Sequence, residues 1–341
     1  MLIKFPETVR ISHSRLKTWR RCQMQHHYKY YQGLRRIRKA RPLYLGSAVH
    51  SLIEGYLERG NWKQEMAEIR KSYSTLFLEE QAELGDIPGI AERVVKGYFD
   101  YYQDDGYQYP KRMRGKRTEL PVSFYITDQI QFIGYVDAYP QDSNGLNWLM
   151  DHKTCKRIPG EETRFSDLQL LLYCWGLPRI GQPAPDGVIW DYLRTKEPTV
   201  PDQLKSGGLS KAKSIDTTYD VYMDTVEKVL GPDALPDYEE FAQTLVGNEE
   251  KFYRRINLPR PPKVLVDTVV EDVIKSAKEI LDHGPEATVR NMSRDCNMCP
   301  YFDLCSAEVR GLDSEYIRKT EFIKELRYGD EEENPDESEE N

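Results

Sequence analysis

Three residues carry the chemistry of this chain before any element is drawn: Asp137, Asp151 and Lys153. Asp137 ends the run Gly134-Tyr135-Val136-Asp137, an acid in an otherwise apolar stretch, where ionisation without a partner is costly. Fourteen residues later Asp151-His152-Lys153 follows Trp148-Leu149-Met150. On adjacent strands the two carboxylates come side by side, and Lys153, two residues past Asp151, shares its face. Carboxylates this close repel unless a divalent cation keeps both ionised. Such a cation also holds a phosphate and lowers the pKa of a water that a lysine can position or deprotonate. A salt bridge between surface strands is the plain alternative. His50, with Glu54 one turn further along the same helix, could complete a mixed nitrogen and oxygen set that tolerates manganese as well as magnesium. Gln169 and Tyr173, at i and i+4, share a helix face from which they could touch a phosphate or the lysine. A capping box opened by Ser166, with Tyr173 as plain core, accounts for the same pair.

The six cysteines form a second group. Cys296-x2-Cys299-x5-Cys305 has the spacing of a metal-ligand loop, Cys22 lies 274 residues before it, and Cys155 and Cys174 stand alone, as small buried thiols do. Three thiolates leave one tetrahedral position open, and the ligands by themselves do not choose between zinc and iron.

The elements that must position these residues follow from periodicity. Residues 10–32 read as a helix capped by Ser12 or Ser14. Residues 43–59 read as a second helix, with Leu45, Val49, Leu52, Ile53, Tyr56 and Leu57 on one stripe. Helical stretches near 62–83 and 90–104 follow, separated by Gly85, Pro88 and Gly89. The period then shortens: 119–127, 130–139 and 146–154 read as an antiparallel meander, joined by turn residues at 127–128 and 142–145. Ser166 caps a helix running to Pro178, and Gly187–Arg194 is a fourth strand. Past Pro198 come a polar stretch (205–213) and helical patterns near 218–230, 237–256 and 266–283. The expectation is a mixed α/β (α+β) core of order αβββαβ between helical N- and C-terminal regions.

Composition excludes several classes. No apolar run reaches the roughly 18 residues of a membrane helix, and no charged-then-apolar leader opens the chain, so a cytoplasmic location is expected. The net charge of −8 comes from residues 330–341, which hold eight acids and no base, leaving residues 1–329 neutral. Residues 1–41 carry twelve Lys or Arg against Glu7 alone, and residues 111–117 have five basic residues in seven. That asymmetry suits a polyanion-binding face. Arg20, Arg21, Arg35, Arg36, Arg38, Lys39 and Arg41, interleaved with Trp19, Tyr28, Tyr30 and Tyr31, are the candidate DNA contacts, with core packing around the cysteines as the other use of the rings. The acidic tail reads as disordered and solubilising.

The ordered set Gly46-x3-His50, Glu119, Gly134-x2-Asp137, Asp151-x-Lys153 and Gln169-x3-Tyr173 resembles the nuclease domain of RecB and AddB and of the CRISPR-associated RecB-like exonucleases, in the PD-(D/E)XK superfamily. The resemblance implies a restriction-endonuclease-like core with a central mixed sheet. It implies that His50, Asp137, Asp151 and the carbonyl of His152 bind Mg2+ or Mn2+, and that Lys153 is catalytic. Gln169 and Tyr173 would then support DNA contact, with Glu119 at a weaker family position. It also implies a 4Fe-4S cluster on Cys22, Cys296, Cys299 and Cys305 that ties the two ends of the chain. The expected layout is a basic segment (1–42), a nuclease core (43–195) with a helical insertion (61–105), an added helical region (196–290), the cysteine loop (291–312) and a C-terminal helix with the acidic tail (313–341). The expected activity is exonucleolytic hydrolysis at single-stranded DNA ends in recombination, repair or replication of a bacterial or phage genome. Partners would be a helicase or recombination protein, or further copies of the chain. A catalytically silent DNA-binding or adaptor subunit of a helicase or integrase complex is the other reading.

Overall fold

The computed structural model describes residues 8–159, 167–285 and 289–325. The chain enters as β1 (Val9–Ile11), which buries Val9 and Ile11 and leaves Arg10 exposed. Ser12 then caps α1 (His13–Arg21), its side chain accepting from the N–H of Arg15. Cys22 breaks the helix in an extended conformation; α2 (Gln23–His26), a π-turn over His27–Tyr31 and β2 (Leu34–Arg36) follow. The single helix expected over 10–32 is therefore corrected to a strand and interrupted helical pieces. Residues 9–11 are claimed by pairing with the sheet, a long-range demand that helical periodicity does not register.

α3 (Arg41–Arg59) buries the stripe Leu45, Val49, Leu52 and Ile53 and ends at Gly60 in the left-handed conformation. α4 (Lys63–Ser74), α5 (Leu78–Leu84) and α6 (Ile87–Tyr101) pack against it. Pro88 does not break a helix as expected. It sits in the first turn of α6, where its missing N–H costs nothing, and Asp86 caps that turn.

The sheet comprises β3 (Thr118–Thr127), β4 (Ile130–Ala138), β5 (Trp148–Cys155), then after α7 (Leu168–Gly176) β6 (Gly187–Arg194), and after α8 (Tyr219–Leu230) and α9 (Leu235–Gln243) β7 (Tyr253–Pro259). β3 and β4 form a long antiparallel hairpin, β5 and β6 run parallel, and β7 returns antiparallel to β6. The expected meander is cut short, since β4 and β5 pair only at Ala138 and Met150. The far end of that edge of β4 is taken by β1, parallel, from Val9–Ile130 to Ile11–Phe132. β4 thus sits at a fork, with β5 leaving on one prong and β1 filling the other. The helix expected over 237–256 is also corrected: α9 stops at Gln243 and Tyr253–Pro259 is a strand, because the fully buried β6 needs a second partner for its backbone groups.

One sheet face packs on α1, α7 and α10 (Lys263–His283), the other on the bundle of α3 to α6. α11 (Phe302–Val309), α12 (Ser314–Glu321) and β8 (Phe322–Lys324) come back to the start of the chain, where β8 pairs with β2 and Tyr301, Leu304 and Phe322 pack on Met24 and Tyr28. The result is a mixed α/β protein with a central mixed sheet. Ser166, proposed as the cap of α7, lies outside the described residues, and Asp167 caps that helix by accepting from the N–H groups of Gln169 and Leu170. The acidic tail also lies outside them.

Candidate metal-binding active site

Asp137 and Asp151 are the residues next to the Ala138–Met150 pair, so they stand where β4 and β5 part. The fork leaves their carboxylates without a continuous ladder between them, and the N–H of His152 turns to donate to Oδ2 of Asp137 at 2.9 Å. From α3, Nδ1 of His50 lies 3.7 Å from the same oxygen. Gly46 lets α3 come this close, because a Cβ there would meet Oγ1 of Thr154 at 3.1 Å.

Glu119 lies across from Asp137 in the β3–β4 register, between the pairs Thr118–Ala138 and Leu120–Val136. Its backbone has φ +46°, a left-handed conformation that a glutamate adopts only when its surroundings impose it. Next to it Glu58 on α3 anchors the start of β3, accepting from the N–H groups of Arg117 (2.6 Å) and Thr118 (2.9 Å). His50, Glu119 and Asp137 each present a ligand atom within 4.8 Å of the other two. Among the described residues, they are the group of histidine, cysteine and acid side chains drawn this tightly. Sequence reading gave Glu119 the weakest place in the set, and the geometry puts it at the centre.

Asp151 takes a different position. It is buried, and Nζ of Lys153 sits 2.6 Å from Oδ2 and 2.9 Å from Oδ1. The shorter contact lacks hydrogen-bond geometry, so Oδ2 is buried with an ion-pair neighbour but no hydrogen bond. Burial pushes the Asp151 carboxyl up to about 7; Lys153 pulls against this and Asp137 adds to it. Burial works against the Lys153 ammonium too, but the Asp151 carboxylate outweighs it and the lysine is raised. Burial also pushes Glu119 up to about 7, reinforced by Asp137 and Glu54. His50 is lowered by burial despite the attraction of Asp137, which leaves a neutral imidazole suited to ligation. A hydrogen bond to the His152 backbone accompanies that imidazole.

Gln169 donates to the hydroxyl of Tyr173 (3.3 Å), which donates to the carbonyl of Tyr135 (2.6 Å). Gly134 makes room for this contact, since a Cβ there would lie 2.6 Å from the Tyr173 oxygen. The two residues therefore brace β4 beside Asp137, with Tyr173 buried. His13, at the start of α1, feels both Asp167 and Lys153 and hydrogen-bonds Gln169.

A buried layer behind β5 was missed in the sequence. The His152 imidazole faces away from the acids and meets Asp191 of β6 at 2.7 Å. Asp191 also accepts from Tyr98 of α6 (2.5 Å) and from Arg255 of β7 (3.4 Å), and Arg255 reaches Asp105 (2.5 Å). Arg255 and His152 hold the Asp191 carboxyl low against its burial, and Asp191 raises His152 against its own. The signal was present in Asp191, a lone acid in the apolar strand Gly187–Arg194, the pattern that drew attention to Asp137.

The cysteines Cys22, Cys296, Cys299 and Cys305 line one cavity of about 450 Å³. The Cys299 thiol, raised first by burial, also feels the other three. Cys174 is buried and Cys155 partly so. Much of the basic N-terminal set is engaged within the chain: Arg20 with Ser276 and Asp272, Arg21 with Asp295, Arg35 with Glu325, Arg36 with Asp303 and Glu321, and Arg41 with the Leu84 carbonyl. Arg38 and Lys39 are exposed. Trp19, Tyr28 and Tyr30 are buried, so those rings belong to the core.

A family model described as PD-(D/E)XK nuclease superfamily matches residues 10–306. This chain belongs to the PD-(D/E)XK nuclease superfamily. The matched span covers both acids, Lys153, the brace on α7 and all four clustered cysteines. None of the curated proteins matches the chain. Solved structures that match include the crystal structure of SSO0001, 14% identical over 86% of this chain and 95% of that one, with a TM-score of 0.30. Membership makes nuclease the class of activity and divalent metal the class of cofactor. The donor set fits such an ion: a neutral imidazole, two carboxylates within ligand distance of one another, and a third carboxylate with a buried oxygen that accepts no hydrogen bond.

Proposed function

We propose that this PD-(D/E)XK protein is a metal-dependent DNA exonuclease acting on single-stranded ends, with a structural 4Fe-4S cluster. The observation that carries the hydrolytic reading is the fork of β4 and β5, at which Asp137 and Asp151 meet Lys153 and His50. His50, Glu119 and Asp137 would hold a divalent ion, with Asp151 and the His152 carbonyl completing its surroundings. That ion supplies the charge that polarises the phosphodiester and activates a water. Lys153 orients the water and, by its attraction, opposes the protonation of Asp151 that burial favours. Gln169 and Tyr173 hold β4, and with it Asp137, in register beside the phosphate. The buried His152–Asp191–Arg255 layer fixes β5, whose N–H at His152 aims Asp137.

For the cysteines, the reading of a multi-iron group rests on their order and spacing and on the one cavity that all four line. A cluster there would fasten α1 and α2 to α11 across more than 270 residues of chain and play a structural part. Anaerobically purified protein should be brown with absorbance near 400 nm; a colourless protein with one equivalent of zinc overturns this assignment.

The deciding experiment is digestion of end-labelled single and double strands with Mg2+ or Mn2+, beside Asp151→Ala and Lys153→Ala controls. Stepwise loss of nucleotides from single-stranded ends, absent in both variants, is expected. A folded wild-type protein that binds DNA and cuts neither substrate with either metal would support the adaptor reading instead.

A further inference from the structure

Residues of the β3–β4 hairpin that face away from the α7 and α10 layer form an open strip that ends at the acids. Across the register, Tyr125 stands opposite Gln131, Ser123 opposite Ile133, and Pro121 opposite Tyr135. The next residues on that face are Glu119 and Asp137. Among the described residues no helix covers its outer part: Tyr125 is 59% exposed and Tyr135 60%, and Ser123 is exposed as well. Rings exposed on one sheet face offer a partner flat apolar surface with a polar tip.

The strip is also fixed and basic along one side. Arg10 of β1 donates to Gln131 (3.2 Å), and Gln131 donates to Ser123 (2.9 Å), a polar row running across three strands. Arg114, from the basic run at 111–117, lines the same cleft as Arg10, Ser123, Tyr135 and Asp137, a space of about 650 Å³. Arg114 is exposed, and its backbone lies at φ +52°, in the left-handed region.

We propose that this strip is the binding platform for single-stranded DNA, with Tyr125 and Tyr135 stacking on bases and Arg10 and Arg114 facing phosphates. The proposal rests on the nuclease reading and deepens it by naming the path to the metal site. Three features select this occupant. The rings carry no sequence preference and offer π faces, as non-specific single-strand binding requires. The cations match a phosphate backbone. The strip is continuous with Asp137, each two-residue step of about 6.6 Å being comparable to one extended nucleotide. From Tyr135 a strand needs one further step to lay a phosphodiester beside Glu119 and Asp137.

The test is fluorescence anisotropy of labelled oligothymidylate in metal-free buffer, where no cutting occurs, on the full chain with its cysteine site as isolated. Tyr125→Ala and Tyr135→Ala should each weaken binding by roughly 5- to 100-fold. Tyr135→Trp should restore it, and affinity for a blunt duplex should change little. Arg10→Ala and Arg114→Ala should each lower the salt slope by about 1. Both rings are surface side chains, so circular dichroism should show the variants folded. Unchanged oligothymidylate affinity in both tyrosine variants overturns the platform, even if the wild type digests DNA. Equal losses on strand and duplex overturn the single-strand assignment, and a changed oligomeric state with unchanged DNA affinity shows that the strip covers a second copy instead. If the wild type cuts nothing but the tyrosine variants lose binding, the platform stands and the nuclease reading falls.

Discussion

Replacing Asp151 by Asn should stabilise the metal-free protein at neutral to alkaline pH while removing hydrolysis. The Asp151 carboxyl is 3% exposed and raised to about 7, against about 3.9 in an unfolded chain. A carboxyl raised in the folded state favours folding only when protonated. Below about pH 4 it is protonated in both states and neutral in its effect; between pH 4 and 7 the unfolded chain ionises first and stability falls; above pH 7 the penalty is constant. Three pH units at about 1.4 kcal/mol each set an upper bound of roughly 4 kcal/mol. Asn escapes this penalty but leaves Lys153 without its anion, a smaller loss because that side chain is 39% exposed. The net gain at pH 8 should be about 1–3 kcal/mol, or roughly 1.5–4 °C in Tm for a chain of this size. The assay is thermal unfolding of wild type and Asp151→Asn at pH 5, 7 and 8 in buffer freed of divalent ions, then with Mn2+ added. The difference should widen with pH, and Mn2+ should raise the wild type more than the variant. A variant that melts lower at pH 8, or a difference independent of pH, refutes the claim that burial of an ionised Asp151 is what the metal relieves.

Lys153→Met should lower single-turnover cleavage by about 100-fold or more while metal-free DNA binding persists; retained turnover removes the lysine from the chemistry. Gly134→Ala drives a Cβ to 2.6 Å from the Tyr173 oxygen and should cost about 1–3 kcal/mol in urea unfolding, with most of the loss recovered in a Gly134→Ala/Tyr173→Phe double variant. Arg255→Met strips a buried cation from Asp191 and should cost about 3–5 kcal/mol, read as a lowered urea midpoint; a loss under 1 kcal/mol means His152 alone compensates the acid. Cys299→Ser should lower bound iron and the Tm together, and bound iron that equals the wild type counts against the shared cavity as its site.

Some of this was open to reading in one dimension. Gly187–Arg194 appears as a strand with the expected ends, and α3 carries the apolar stripe expected over 43–59. His50 lies beside Asp137, Lys153 pairs with Asp151, and the four clustered cysteines share a cavity. Such features are local: alternation, helical period, and acids set among apolar neighbours all leave a trace within a few residues.

What the tertiary structure decided lies in pairings between segments far apart. β1 and β7 join the sheet because β4 and β6 have backbone groups to satisfy, so residues 10–11 and 253–256 are strand against a helical pattern. Glu119 stands in the metal group at the end of β3 that Glu58, on a helix some 60 residues earlier, anchors through the N–H groups of Arg117 and Thr118. The arginines at the N-terminus read as DNA contacts, yet most are held by acids and carbonyls that the C-terminal elements and α5 bring to them. Charge and residue type are properties of a sequence; whether a charge meets an internal partner or water depends on which distant surface arrives beside it, and only the folded chain settles that.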